Sequence, residues 1–498
     1  MFDPTPLDPP VVVLGGGVAG LAAARLLARQ YPHVLVLERD VRADGSADDA
    51  FRHWDRSGVP QFRHTHAFLA RLRLTLLAHL PDVLERLRDI GVKEIGLAEM
   101  VPPGLAFTPR DDDEDVVLLA CRRATFEWAL RESVRALPNV ELREGVFVAG
   151  LVGRSLDGRR PTVTGVRLDD GSVIAAHVVV DALGRRSPGA AWLAALGAPT
   201  PREKSSDAGI FYFTRFYRAQ RGRTPTASGG LVAGDLGWVK VAIFPGDHDT
   251  FSVTIGTPVG DTDLRRIAEP RQFERLLSAL PSVAPWRARG VSRPIDGAST
   301  PVGVMGQLRN RLRHFVDAEG PLAPGFFVIG DAAYHSNPIY GRGCPMALMG
   351  ATFLDEALAL HRNDLAAAAR HLHRLSEREL RPWWDAAVVS DRRMQGEQRS
   401  VPSDPLGALA VLAQQAFGQL LQRGILPATR VDPTVFRAFL RVFHMLDAPE
   451  RLATDPQILL RSLPVLARSL GGHEPAERFV KVTRDEALRS LERRVPAA

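Results

Sequence analysis

The pattern of apolar and polar positions begins with a β-α-β unit. Val11 to Leu14 is a short apolar run that ends in three glycines, and an Ala/Leu-rich helical pattern follows to about Gln30. A second apolar run, Val34 to Leu37, comes next. This order predicts two neighbouring strands joined by a helix, the beginning of a parallel sheet that is covered by helices.

Helical spacing returns in the next hundred residues. Pro81 is suited to the first turn of a helix, and Ala124 to Leu137 predicts a further one. The leucines that recur at helical spacing before Pro81 are Leu69, Leu72, Leu76 and Leu80. These segments are predicted to be scaffold helices.

The middle of the chain has the pattern of antiparallel sheet. Val163 to Asp181 predicts a strand, a turn at Asp170-Gly171 and two further strands, which together form a β-meander on the first domain. Three runs rich in β-branched and aromatic residues follow, at Phe211 to Tyr217, Trp238 to Phe244 and Phe251 to Ile255. They predict a sheet large enough to roof a pocket.

After one more buried strand, Phe326 to Ile329, the pattern is helical to the end of the chain. Asp432-Pro433 predicts a helix start, and Thr483 to Glu486 has the spacing of a capping box. One helical face carries Phe436, Phe439, Leu440 and Phe443. We expect this face to be buried against the other domains.

Composition excludes several classes of protein. The chain has 498 residues, 45% of them apolar and 24% charged, which is typical of a globular protein. The net charge of +6 is spread among acidic residues and forms no basic block, so we do not expect nucleic-acid binding. Cys121 and Cys344 cannot build a disulfide framework or a zinc site, and we predict no metal ion. The N-terminus lacks a signal-peptide pattern and no uncharged apolar run could span a bilayer, so we expect a cytoplasmic protein.

The first chemical motif is the run Gly15-Gly16-Gly17-Val18-Ala19-Gly20, which lies between the predicted strand and helix. Gly15 allows a tight turn, Gly17 lets the backbone approach a pyrophosphate, and Gly20 lets the helix pack on the strand. Glu38, 23 residues beyond Gly15, can accept hydrogen bonds from ribose hydroxyls, and Arg39 could lie against adenine. This dinucleotide fingerprint does not distinguish FAD from NAD.

A second motif points to FAD. The run from Phe326 to Gly330-Asp331-Ala332-Ala333 is followed by Pro338 and by Gly341-Arg342-Gly343. It resembles the Gly-Asp motif of the FAD-dependent monooxygenases related to aromatic hydroxylases (group A). The resemblance implies that Asp331 holds the ribityl chain and that Gly341 and Gly343 open a helix toward the flavin. A helix N-terminus would stabilise the anionic reduced flavin.

Three further positions match the same family. Asp181, in the run from Asp181 to Ser187, resembles the family's Asp-Gly motif, which places it near FAD. Arg123 matches an arginine that opens a helix in the family, and Val148 would then meet adenine through its backbone. The resemblance covers about two thirds of the chain.

A narrower resemblance concerns the subfamily. The run from Gly58 to His66, Trp383-Trp384 and Asp391 resemble the bacterial epoxidases of polyether biosynthesis and their actinobacterial relatives. This implies a large, mostly apolar natural product that bears alkenes. In the family the loop runs beside the flavin ring, so Arg63 and His66 are candidates for ring or substrate contact. Hydrogen-bonded structural histidines are equally consistent with the pattern.

The expected fold is mixed α/β (α+β), with a Rossmann-like FAD-binding domain, a β-meander, an antiparallel-sheet substrate domain and a C-terminal helical region. We assign residues 1–80, 111–200 and 301–398 to the FAD-binding domain, 81–110 to an insertion of the substrate domain, 201–300 to the substrate domain and 399–498 to the helical region.

The expected function is FAD-dependent oxygen insertion from O2, by epoxidation or hydroxylation through a flavin 4a-hydroperoxide. Electrons would come from NAD(P)H directly or from a partner flavin reductase. No residue identifies itself as a catalytic base, and His66 and Tyr340 are the weak candidates. A dehydrogenase or reductase on the same fold stays open, as does a non-redox binding protein like the GDP-dissociation inhibitors. A flavin halogenase should carry a Trp-x-Trp-x-Ile-Pro motif, which is absent.

Overall fold

The computed structural model describes residues 9–155, 159–220, 232–295, 297, 300–396, 405–473 and 479–492. The first part of the chain forms β1 (Val11–Leu14), α1 (Val18–Leu27), β2 (Val34–Glu38), α2 (Ala47–His53), α3 (Ala70–His79), α4 (Pro81–Asp89), β3 (Lys93–Gly96), α5 (Leu97–Met100), β4 (Val117–Ala120), α6 (Arg123–Arg135) and β5 (Val140–Glu144). The predicted β-α-β unit and scaffold helices are all present.

The second part is mostly sheet. It forms β6 (Val148–Arg154), β7 (Thr162–Leu168), β8 (Val173–Ala175), β9 (Val178–Asp181), α7 (Gly189–Ala195), β10 (Arg202–Asp207), β11 (Ile210–Ala219), β12 (Val232–Asp235), β13 (Lys240–Pro245), β14 (Thr250–Pro258), α8 (Pro270–Ala279), α9 (Ala284–Arg287), β15 (Ser292–Pro294), β16 (Gly303–Met305) and β17 (Arg309–His314).

The third part returns to the first layer and then becomes helical. It forms β18 (Val316–Asp317), β19 (Gly320–Pro321), β20 (Phe326–Val328), β21 (Tyr334–His335), α10 (Gly343–Leu360), α11 (Leu365–Glu379), α12 (Arg381–Met394), α13 (Pro405–Leu420), α14 (Leu426–Ala428), α15 (Pro433–Phe443), α16 (Arg451–Thr454), α17 (Pro456–Leu470) and α18 (Arg484–Glu492).

A five-stranded parallel sheet in the order β20-β9-β1-β2-β5 forms the centre of the fold. Every residue of β1, β2 and β9 is buried, because helices such as α1 and α10 cover the sheet. Strands from distant parts of the sequence are therefore adjacent, since β20 pairs with β9 and β9 with β1. The Rossmann-like prediction is confirmed.

The meander differs from the prediction in one strand. The three-stranded antiparallel sheet is β6-β7-β8, whereas β9, which we expected to be its last strand, pairs in parallel with β1. Val178 to Val180 are buried on both faces, as a central parallel strand requires, while β7 and β8 have exposed positions. The uninterrupted apolar run of this strand therefore indicates a strand of the parallel sheet and not of the meander.

The predicted antiparallel sheet has six strands. Its order is β12-β13-β14-β11-β15, and β16 pairs with another part of β11. The sheet and α8 enclose one hydrophobic core, to which Phe213, Tyr217, Ile243, Phe251, Ile255 and Phe273 contribute. Phe211 to Tyr217 and Phe251 to Ile255 lie in its two central strands, as their β-branched and aromatic pattern predicts.

A buried ion pair joins the start of α6 to the six-stranded sheet. Arg122 precedes α6, and Asp247 lies in the turn between β13 and β14. The Arg122 Nη2 atom is 2.6 Å from Asp247 Oδ2, and the Arg122 backbone N–H donates to Oδ1 at 2.8 Å. Burial alone would raise the pKa of Asp247, but hydrogen bonds from His248 and Arg122 hold it far below its usual value. The pair fixes the sheet against the parallel domain.

The C-terminal helices pack in two places. Asp432 caps α15 as predicted, and Phe436 and Leu440 are buried in the core shared with the parallel domain. The Thr483–Glu486 capping box is formed at α18, but that helix packs on the six-stranded sheet through Ala487 and Leu491. Among the residues described, no helix is both long and apolar enough to cross a membrane.

Candidate active site

A cavity lies where the carboxyl ends of the parallel strands face the six-stranded sheet. Gly15, Glu38, Ala182 and Asp331 line it from the ends of β1, β2, β9 and β20. Met305, whose strand pairs with β11, lines it from the other sheet. Ligands of open parallel sheets bind outside the carboxyl ends of the strands, so this is the expected position for a bound nucleotide.

The glycine-rich turn forms one end of the cavity, and each glycine has a different steric reason. Gly15 has φ +97°, and a Cβ there would lie 2.8 Å from the carbonyl oxygen of Ala182. A Cβ at Gly20 would lie 1.8 Å from the Gly15 carbonyl oxygen, so α1 could not approach β1. Gly20 is therefore a packing position outside the cavity lining, whereas Gly17, Val18 and Ala19 line the cavity.

Glu38 is the centre of a buried charged cluster at this end. Its Oε2 atom accepts from the Gly16 N–H at 2.8 Å and lies 2.9 Å from Arg56 Nη1. Arg56 also pairs with Asp40 and Glu127 at 3.0 and 2.9 Å. Burial raises the pKa of Glu38, but Arg56, the Asp40 N–H and Arg42 outweigh burial and lower it. Glu38 is thus an ionised hydrogen-bond acceptor.

The backbone and Arg56 at this end fit a bound pyrophosphate. A Cβ built on Gly17 would approach only the Arg56 Nη2 atom, at 4.0 Å, and one on Gly184 would find nothing within 4 Å. The buried Nε atoms of Arg56 and Arg185 have no hydrogen-bond partner within the described part of the chain. Arg56 lies beside the α1 N-terminus, so its unpaired donor and the open backbone there favour an anion. The charge of Arg185 acts instead on His64 and Asp331.

Asp331, Gly341 and Gly343 reach the same cavity from the far end of the sequence. Gly341 has φ +66° and ends a short 3-10 helix, Pro338–Tyr340, and α10 begins at Gly343. A Cβ at Gly343 would meet only the Asp331 Oδ1 atom, at 4.0 Å. The space in front of the α10 N-terminus is therefore open, and a planar ring such as that of a flavin could lie against it.

His64 and His66 both line the cavity, on the loop that hydrogen-bonds to the six-stranded sheet. His64 Nδ1 is 3.0 Å from the Thr214 hydroxyl, and burial together with the Arg185 charge lowers its pKa to about 4. His66 Nε2 is 3.3 Å from Arg123 Nη1, and burial together with Arg123 lowers its pKa to about 3. Since Arg123 can only donate, His66 Nε2 is the acceptor and Nδ1 carries the proton that the His64 carbonyl accepts. Both rings are neutral near pH 7.

Of the other predicted residues, three line the cavity and three lie outside its lining. Arg39, Arg123 and Val148 line the cavity, whereas Arg63, Asp181 and Tyr340 are outside the lining. Arg63 donates to the carbonyl groups of three residues at the end of α2: Phe51, Arg52 and Trp54. Asp181 is fully buried and accepts from the Ser187 hydroxyl and the Leu183 N–H, and burial raises its pKa. Its side chain stabilises the turn after β9 through these hydrogen bonds and lies outside the cavity.

Tyr340 belongs to a buried network around Asp391. The Tyr340 hydroxyl and the Asn337 amide donate to Asp391 Oδ1 at 2.7 and 2.8 Å, and the Asn310 amide donates to Oδ2 at 2.7 Å. The Tyr212 hydroxyl in turn donates to Asn337 Oδ1 at 2.5 Å. Helix α12, two strands and the loop before α10 thus meet at one carboxylate. The network fixes the loop that carries Ser336, Pro338 and Gly341 to the cavity.

Several lining residues were missed by sequence reasoning. Arg56 has no local signal, because its partners Glu38, Asp40 and Glu127 come from other segments. Arg185 could have been found, since it lies within the quoted run from Asp181 to Ser187. The apolar lining residues Met305 and Leu308 stand in a segment without a recognisable motif.

Comparisons with known proteins agree with this geometry. Residues 10–106 match the family model described as FAD dependent oxidoreductase. Protein Rv3254 of Mycobacterium tuberculosis (strain ATCC 25618 / H37Rv) is 29% identical in an alignment of length 490 that covers 92% of this chain and 92% of that protein.

Two solved structures illustrate the shared fold. The myxobacterial chondrochloren halogenase CndH, a variant of FAD-dependent halogenases, is 16% identical with a TM-score of 0.56 over 98% of this chain and 96% of that one. PqsL from Pseudomonas aeruginosa, "a probable FAD-dependent monooxygenase", is 17% identical with a TM-score of 0.53 over 81% and 99%. The chain shares its fold with these two proteins, and its N-terminal segment is similar to the FAD dependent oxidoreductase family.

Proposed function

We propose that this protein is an FAD-dependent monooxygenase that inserts one oxygen atom of O2 into a largely apolar natural product, by epoxidation or hydroxylation. The observation that carries the proposal is the cavity, which connects the glycine turn, the Asp331–Gly343 segment and the wall of the antiparallel sheet. Bound FAD would supply the electron transfer and the oxygen activation. The chain's own residues would bind the flavin and the substrate, orient them and exclude water from the site.

At the glycine-turn end, the N-terminus of α1 and the unpaired Nε donor of Arg56 would hold the pyrophosphate. Arg185 lines the cavity nearer to Asp331 and His64. Glu38 would accept from ribose hydroxyls, because its pKa is lowered and it is ionised. Arg39 and Val148 line the same end and would flank the adenine. Asp331 would contact the ribityl chain.

At the sheet end, the walls favour an apolar substrate that needs no protein base. Met305, Leu308 and Pro338 line this end together with the neutral rings of His64 and His66. The lining carboxylates are Glu38, Asp40 and Asp331, none of which belongs to the sheet wall. Epoxidation of an alkene requires no general base, whereas hydroxylation of a phenol benefits from one. The neutral imidazoles could accept a proton, but their lowered pKa values, about 4 for His64 and about 3 for His66, make them weak bases. The site therefore supports epoxidation better.

The polyether-pathway resemblance gives a finer hypothesis, an alkene-bearing substrate of large size. The run from Gly58 to His66 carries this resemblance, and most of it lines the cavity. We further propose that NAD(P)H or a partner flavin reductase supplies the electrons. The two cysteines are buried and unpaired, which favours a cytoplasmic site of action.

The test is reconstitution with FAD, chemical reduction and exposure to 18O2 with a panel of alkenes and phenols. We expect yellow protein with one FAD per chain and an alkene product that gains one labelled oxygen atom, detected by mass spectrometry. Stoichiometric peroxide with every compound and no labelled product would instead support the dehydrogenase alternative. Failure to bind FAD would overturn the proposal and favour a non-redox binding protein.

A further inference from the structure

A second cluster of possible ligands lies outside the cavity, between β17 and α11. His314 is the last residue of β17, and His373 and Glu377 are one turn apart on α11. One ligand atom from each residue lies within 4.8 Å of the other two. None of the three lines the cavity described above. Two imidazoles and a carboxylate form a ligand set that zinc and similar divalent ions prefer.

The surroundings of these side chains resemble those of a metal site. His314 is only 6% exposed, and its Nε2 atom has no hydrogen-bond partner in the described part of the chain. A buried imidazole nitrogen without a partner is costly unless something binds it. The Tyr334 hydroxyl donates to Glu377 Oε1 at 2.7 Å, and that oxygen lies 3.8 Å from His314 Nδ1. Tyr334 thus orients the carboxylate in the way that second-shell partners orient metal ligands.

We propose that His314, His373 and Glu377 bind one divalent transition-metal ion such as Zn²⁺, with water in the remaining position. Bound ligands of a tetrahedral ion are about 3.3 Å apart, so the side chains must close by up to about 1.5 Å from their present separation of at most 4.8 Å. Both imidazoles line a recess, which leaves space for the water ligand.

Neighbouring positive charge sets an upper limit on the affinity. Arg202 lines the same recess, and Arg381 Nη1 lies 3.0 Å from Glu377 Oε2. These guanidinium groups repel a cation, and only three protein ligands are present. We therefore expect binding weaker than that of closed zinc sites with four protein ligands. The ion would join β17 to α11. We predicted no metal from the cysteine pattern, which could not reveal ligands that lie about 60 residues apart.

The test is titration of the full-length, tag-free protein with Zn²⁺ by calorimetry, after chelator treatment. Co²⁺ then serves as an absorbance probe of tetrahedral coordination. We expect one equivalent of Zn²⁺ to bind, and H373A and E377Q each to weaken binding at least about 10-fold. His371→Ala is the matched control, since His371 lies on the same helix but pairs with Glu356 at the surface, and it should bind like the unmodified protein.

Two further measurements distinguish loss of the metal site from misfolding and from loss of FAD binding. Circular dichroism and FAD binding should be unchanged in H373A, because His373 does not line the cavity and is only partly buried. Zn²⁺ should raise the melting temperature of the unmodified protein and of H371A but not of H373A. No saturable binding, or equal binding by H373A, E377Q and the unmodified protein, would overturn the proposal.

Discussion

The two ends of the cavity differ in the charged residues that surround them. The glycine-turn end gathers Arg42, Arg56 and Glu127 with Glu38, all buried and arranged in pairs. The sheet end is lined by Met305 and Leu308 with neutral histidines. Paired charges and open backbone suit a multiply charged ligand held in one position. A largely apolar wall without carboxylates, whose nearest charges are Arg123 and Arg185 beside the two histidine rings, suits exclusion of water and a substrate that varies. The comparison separates cofactor binding from substrate binding within one cavity.

The largest expected effect comes from breaking the ion pair that holds the two ends together. Asp247→Ala removes the buried carboxylate that Arg122 contacts through its guanidinium and its backbone N–H, and leaves the guanidinium paired with Asp48 at 2.9 Å. This should lower the free energy of unfolding by about 3 kcal/mol. Urea denaturation at pH 7 measures this. The matched control is Asp235→Ala, which removes an exposed partner of Lys240 on the same sheet and should cost less than about 1 kcal/mol.

The same pair gives an expectation at low pH. Because the folded pKa of Asp247 lies below its unfolded value of about 3.9, its contribution is complete above that pH and decreases as the pH falls below it. An Asp247→Ala protein with unchanged stability would show that the two ends are held together elsewhere.

The next largest effect should be confined to the charged end. Gly17→Val places a side chain in open space, at an ordinary φ of −84°, where a pyrophosphate would lie. We expect FAD affinity to fall at least about 100-fold, roughly 2.7 kcal/mol, while the melting temperature of the apo-protein changes little. Fluorescence titration with FAD measures the affinity.

Gly15→Val is the comparison for that variant. Its φ of +97° and the nearby Ala182 carbonyl predict loss of folding together with loss of FAD binding. If Gly17→Val binds FAD normally, the cofactor does not lie at this turn.

A smaller effect should appear at the neutral end as the pH falls. The pKa of His64 is lowered to about 4, so between pH 6.5 and 4 the unfolded chain binds a proton that the folded protein does not. Stability should therefore decrease with acidity in this window. His64→Gln should reduce the slope by about 1.4 kcal/mol per pH unit, measured by urea denaturation at several pH values.

The unmodified protein, measured at the same pH values, is the reference for this slope. An unaltered slope in His64→Gln would mean that the His64 ring is not held neutral by burial at the sheet end.

The smallest effect is expected for Arg39→Ala. Arg39 lines the charged end, but its side chain is 46% exposed and its nearest carboxylate, Asp40, is 3.6 Å away. We expect FAD affinity to fall about 3–5-fold, because an exposed contact contributes up to about 1 kcal/mol. Lys93→Ala, far from the cavity lining, should have no effect. A loss as large as that of Gly17→Val would place Arg39 at the pyrophosphate.

The sequence predicted the regions that are held by residues close together in the chain. It missed the features that depend on residues far apart in the chain. The glycine turn and the strands β1 and β9 were visible because their patterns lie within a few consecutive residues. The assignment of β9 to the meander was wrong, since adjacency in sequence was taken as adjacency in the sheet. The placement of Tyr340 outside the cavity lining depends on Asp391, which is 51 residues away.

The sequence by itself determined the β-α-β unit, the antiparallel sheet, the helix starts at Asp432 and Thr483 and the fingerprint that points to a dinucleotide. These features arise from local sterics, capping and periodicity, which the chain carries in consecutive residues. Only the tertiary structure decided that Arg56 meets Glu38, that His64 is buried and neutral, and that His314 faces α11. Ion pairs, desolvation and ligand clusters depend on which segments come together, and that is a property of the packed fold.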